Sequence, residues 1–106
     1  MTRASIAAAA LLAISAAGAV ANAAFAADAA AGRAKAVQCQ ACHGLDGISK
    51  LPDAPNLAGQ NEDYLVKALH DFKTGERKNE LMSTVVKPLS DADIANLAAF
   101  YHSLKP

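Results

Sequence analysis

The sequence predicts an all-α domain built of three main helices and two long loops. Beyond residue 27 the chain is poor in Val, Ile, Thr and aromatic side chains, and nothing alternates with period two for long, so no sheet is expected. Three segments instead show Ala-rich composition, helical apolar spacing or helix-end signals. Long stretches without regular periodicity, one of them rich in Gly, Pro and Asp, separate them.

The first helix is expected over Ala29 to Gln40, Ala-rich with Gly32 inside it. A glycine there costs roughly 1 kcal/mol relative to Ala and suits a place where another helix passes close by. The second helix opens at Asn61, a good N-cap, with Glu62 and Asp63 at the positive end of the dipole. Leu65, Ala68, Leu69 and Phe72 form its apolar stripe, and Lys73 with Gly75 reads as its end. His70 falls off that stripe and is expected in solvent. The third helix opens with Ser90-Asp91-Ala92-Asp93, the spacing of a capping box with Asp in place of Glu. Ile94, Leu97, Ala98 and Tyr101 follow on one side with Phe100 at its edge, and His102 is expected exposed.

The first quarter of the chain reads as an export signal rather than as fold. Arg3 gives a charged start, Ile6 to Val20 is almost wholly apolar, and Ala24-Phe25-Ala26 offers a small-residue cleavage site. The expected division is a cleaved signal over 1–26 and a domain over 27–106, with cleavage after Ala26 or Ala27. An uncleaved membrane anchor is the competing reading, but the many alanines make it weakly apolar for a span. The remaining ~80 residues lie near the size at which a core alone barely suffices, so a staple or a bound group is expected. Without Arg3, the 10 Lys and Arg of the whole chain fall to nine against 10 Asp and Glu. No basic run suggests nucleic acid.

Two long loops need an object to wrap. Gly44 to Gln60 holds three Gly, two Pro, two Asp and an Asn; Glu76 to Leu89 contains Met82, the only methionine after Met1. Cys39-Gln40-Ala41-Cys42-His43 names the object: C-x-x-C-H is the attachment signature of c-type haem. Residues three apart on a helical turn face the same way, so two sulfurs can reach the two vinyl groups of one porphyrin edge. The adjacent imidazole is then directed under the ring. A thioredoxin-like pair would need a sheet-bearing domain, and a zinc site would need a fourth ligand that His70 and His102 are poorly spaced to supply. A plain disulfide would leave the marginal core and the two loops unexplained.

From Gly32 onward the chain resembles the class I cytochromes c, in particular the small bacterial monohaem type, and is similar to one half of the dihaem respiratory cytochromes c. The residues that carry the likeness are Gly32, Cys39 to Gly44, Asp46-Gly47, Pro55 to Gln60, Tyr64-Leu65, Phe72 to Gly75, Arg77, Met82, Leu89 to Asp91, Leu97 and Phe100. The resemblance implies one covalent haem c on Cys39 and Cys42, with His43 and Met82 as axial iron ligands. It implies that the Pro55 carbonyl holds the imidazole, that Leu57 packs on the ring, and that Leu97 and Phe100 cross the first helix near Gly32. Gln60, Tyr64 and Arg77 are equally readable as propionate contacts or as ordinary surface residues. The function implied is periplasmic one-electron transfer between redox proteins, such as a membrane-bound oxidase or a periplasmic dehydrogenase, by a monomer with no catalytic residues and no small-molecule substrate. A dedicated dehydrogenase subunit, or a haem enzyme or gas sensor with an open iron site, are the rivals. Ile48, Leu51, Pro52, Val85 and Val86, rimmed by Lys50 and Lys87, form a candidate docking patch, unless Val85 and Val86 pack under the haem instead.

Overall fold

The computed structural model describes Ala4 and residues 26–106; the expected signal segment otherwise lies outside the described residues. Five α-helices occur in order: α1 (Ala29–Lys35), α2 (Gln40–His43), α3 (Glu62–Thr74), α4 (Glu80–Val86) and α5 (Asp91–Ser103), with no strand among the described residues. None of these helices is long and apolar enough to cross a membrane.

The ends of the helices are fixed by short polar side chains. Asp28 caps α1 by accepting from the N–H groups of Ala30 and Ala31. Asn61 caps α3 through Tyr64, and Gly75, at φ 85°, ends that helix in the left-handed region. Ser90 and Asp93 close a full capping box on α5, each side chain bonded to the other's backbone N–H. On α5, Ile94, Leu97, Ala98, Phe100 and Tyr101 are buried, and they meet Leu65 and Phe72 of α3, Val86 of α4, and Leu89 in one core.

Gly32 is where α1 crosses α5. A Cβ built on it would lie 1.9 Å from the Asn96 carbonyl oxygen and 2.9 Å from Phe100 Cβ. Asn96 and Phe100 thus form the crossing, while Leu97, expected there too, turns toward the interior cavity. The crossing is pinned at both ends of α1: the Asp28 N–H donates to Asn96 Oδ1 at 2.8 Å, and Lys35 lies 3.5 Å from Asp93.

The structure redraws two of the expected elements. The expected first helix does not run unbroken to Gln40. After Lys35 it tightens into a 3₁₀ turn over Ala36–Gln38 and resumes as α2. Three residues per turn instead of 3.6 changes the direction in which the side chains of α2 point, and Ala36, fully buried, fixes that turn against the core. The second long loop is not structureless, because its middle is α4, capped by Asn79, which accepts from the Met82 N–H. The signals were present: Asn79 before Glu80, and Met82, Val85, Val86 and Leu89 at i, i+3, i+4 and i+7.

The first loop is irregular but closely tied. Gly47 O accepts from the N–H groups of Leu57 and Ala58, the Ser49 N–H donates to Asn56 Oδ1 at 2.7 Å, and the Gly59 N–H donates to Tyr101 O at 3.0 Å. Gly44, at φ 78°, starts the reversal; a Cβ there would sit 2.2 Å from Ile48 O.

Candidate haem site

The loops and helices enclose a cavity of about 620 Å³. That volume falls among small-molecule and cofactor pockets, roughly 300–1,000 Å³. Cys39, Cys42 and His43 enter it from the turn at α2, Pro55 and Leu57 from the first loop, and Met82 from α4. Every residue expected at the site from sequence therefore lies on this one cavity. The two cysteines are free, half-buried thiols. Burial pushes the Cys39 thiol above its ordinary value, with the neighbouring Cys42 adding to the shift and the Tyr101 hydroxyl opposing it.

His43 is the one buried polar or charged residue among those described, at 7% exposure. Its Nδ1 lies 2.8 Å from the Pro55 carbonyl oxygen. A carbonyl only accepts, so Nδ1 carries the proton and Nε2 keeps a lone pair, the tautomer a metal ligand needs. The loop that holds Pro55 is anchored beside α2 by the Lys50 N–H, which donates to Cys42 O at 2.9 Å.

The other histidines do not reach the cavity. His70 is partly exposed, with Nε2 3.7 Å from Asp91 Oδ1, and His102 donates from Nδ1 to the Gln60 carbonyl at 2.7 Å on the surface. Among the described residues no three His, Cys, Asp or Glu side chains converge as a metal cage. A zinc site therefore lacks its donors, whereas a cofactor that brings its own equatorial nitrogens needs from the protein only axial atoms, which His43 and Met82 can offer.

Gln60, Tyr64 and Arg77 also line the cavity. The Arg77 guanidinium stacks 4.6 Å from the Phe72 ring centroid and reaches the Tyr64 hydroxyl at 3.4 Å. This gives one edge of the site a cation and a hydroxyl, a suitable chemistry for carboxylates. The expected docking patch does not hold together. Val86 is 1% exposed and belongs to the core, and Val85 lines the cavity. Lys50 pairs with Asp46 beside a separate shallow surface depression. Leu51 and Leu81, 49% and 61% exposed, both line the cavity and face solvent. Leu81 owes its place at the rim to α4, which is too short to announce itself in the sequence.

The donor set, the mostly apolar lining and a buried Tyr101 hydroxyl without a partner all fit a haem attached at Cys39 and Cys42. The family model for cytochrome c matches residues 27–105. Cytochrome c4 of Pseudomonas aeruginosa is 50% identical over 62 residues, which cover 58% of this chain and 31% of that protein. Cytochrome c-554(548) of Halomonas halodenitrificans is 46% identical over 63 residues, covering 57% of this chain and 76% of that protein. The crystal structure of reduced recombinant cytochrome c4 from Pseudomonas stutzeri superposes with a TM-score of 0.71 at 45% identity, over 76% of this chain and 47% of that one. The chain thus spans about a third of the cytochrome c4 sequence and about half of the solved cytochrome c4 that it matches. With a family model covering nearly everything after residue 26, and the helical fold and haem-attachment run in place beneath it, the chain belongs to the cytochrome c family, whose cofactor is covalently bound haem c.

Proposed function

We propose that this protein is a soluble, periplasmic one-electron carrier with a single haem c held by His43 and Met82. The observation that carries the reading is the bond from His43 Nδ1 to Pro55 O, which leaves Nε2 for iron in the cavity that Met82 also lines. When bound, the haem supplies a one-electron iron couple. Everything else falls to the chain. Cys39 and Cys42 fix one porphyrin edge. Pro55 O orients the imidazole and raises its basicity. Leu57, Leu65 and Leu97 would keep water from the ring, and Met82 would offer a thioether that favours the reduced metal. A haem held by both His43 and Met82 would leave no open position for a substrate, which suits electron transfer rather than catalysis. Leu51 and Leu81 mark the apolar rim where redox partner proteins would approach. Weak, quickly released contact of small area suits that task.

The test is carbon monoxide binding by the ferrous protein, with a redox titration alongside. The wild type should not bind the gas at neutral pH. Met82→Ala should bind it, keep its covalent haem and show a lower reduction potential, because water or hydroxide in place of sulfur favours ferric iron. Ready binding by the wild type would mean an open iron site, and the carrier reading would give way to a sensor or enzyme.

A further inference from the structure

Tyr101 is 3% exposed, and its hydroxyl oxygen is buried without a hydrogen-bond partner. Buried polar atoms are rarely left so, since an unpaired hydroxyl loses its hydration for nothing. The residue is held at both ends. Its backbone carbonyl accepts from the Gly59 N–H at 3.0 Å and from the Leu104 N–H at 3.2 Å, and its ring packs at 5.0 Å on Phe100. It lines the same cavity as Cys39, and the two side chains are close enough that each perturbs the other's ionisation. Burial pushes both the phenol and the thiol upward, so both keep their protons at neutral pH. While Cys39 is a thiol, either side chain can donate to the other, so the direction of the contact is not fixed. Its addition to a vinyl group forms a C–S and a C–H bond and breaks the S–H bond and the C=C π bond, with no electrons gained or lost. The sulfur that results has lone pairs and no hydrogen. It can then only accept.

We propose that Tyr101 is a positioning residue for the cofactor, its hydroxyl donating a hydrogen bond to the Cys39 sulfur once that sulfur is a thioether. The inference rests on the proposed haem attachment and assigns α5 a part in holding the first attachment point. Density drawn from the sulfur is drawn from the macrocycle substituent, so the bond favours ferrous iron. Because Tyr101 also binds the Gly59 N–H through its backbone, the same residue ties the thioether edge to the loop that carries Pro55.

The experiment compares the wild-type holoprotein with Tyr101→Phe, which removes one oxygen, and with Tyr101→Leu, which also removes the ring. Mass spectrometry of each denatured protein first establishes the covalent adduct. A wild type without it refutes the proposed haem carrier, not the hydrogen bond. Resonance Raman spectra in water and after full exchange into deuterium oxide, with a reduction potential, then test the bond itself. In the wild type the C–S mode should shift on exchange. In Tyr101→Phe that sensitivity should vanish and the potential should fall, with the thermal midpoint little changed. If Tyr101→Phe matches the wild type in both exchange sensitivity and potential, and only Tyr101→Leu differs, the hydroxyl is a packed passenger and the proposal is overturned.

Discussion

Gly32→Ala sets two physical effects of opposite sign against each other. Helix propensity alone favours Ala over Gly by roughly 1 kcal/mol in a helix interior. Packing opposes it. The new methyl would lie 1.9 Å from the Asn96 carbonyl oxygen, 2.5 Å from its carbon and 2.9 Å from Phe100 Cβ. Comfortable contacts between such atoms lie near ~3.5 Å, and the obstacle is helix backbone, which cannot rotate aside as a side-chain tip can. α1 and α5 must therefore part by something over about 1 Å. Overpacking of this kind costs roughly 1–3 kcal/mol, and a backbone clash belongs at the upper end. Separation also stretches the Asp28–Asn96 hydrogen bond, a contact worth about 1 kcal/mol. The net expectation is a loss of about 3 kcal/mol. At ~4–8 °C per kcal/mol for a domain of this size, the holoprotein should melt about 12–24 °C lower. Calorimetry or haem absorbance on heating measures it. A midpoint at or above that of the wild type would show that the crossing is loose and that propensity governs position 32.

Ser90→Ala should cost about 1 kcal/mol through loss of the α5 cap, seen as a lower denaturation midpoint with an unchanged denaturant slope. The Asp93 carboxyl is held below its usual value, chiefly by the Ser90 backbone N–H. Its lowered folded pKa means that its stabilisation is complete above the ordinary Asp value near ~4 and is lost as pH falls through the folded value. Asp93→Asn should therefore flatten the acid limb of the stability profile while leaving its shape near neutrality alone; an unaltered acid limb would contradict the assignment. Chain produced without haem should be largely unfolded by circular dichroism, because the core then surrounds a cavity of about 620 Å³ in a domain with little apolar surface to spare. A native-like helical spectrum would refute this.

Much of this protein was legible in its residues, and for local reasons. Caps are read from one side chain and the three residues after it, so Asn61, Ser90 and Asp93 announced α3 and α5 correctly. The run from Cys39 to His43 is a chemical device whose parts must be adjacent, and adjacency is what a sequence displays. The break after Lys35 was not legible. Ala-Val-Gln contains no breaker, and the 3₁₀ turn is set by Ala36 packing into a core assembled from α3, α4 and α5. Helix α4 has its spacing in plain view, but at seven residues it carries too little periodicity to stand out from a loop. The docking patch failed at Val86 because exposure is a property of what lies opposite, and Leu65, Leu97 and the rest of that core come from elsewhere in the chain. The same holds at Tyr101. The sequence marks it as one more apolar-face residue of α5. Only the folded chain places its side chain on the cavity that Cys39, far earlier in the sequence, also lines, because the close crossing at Gly32 brings the two ends of the domain together.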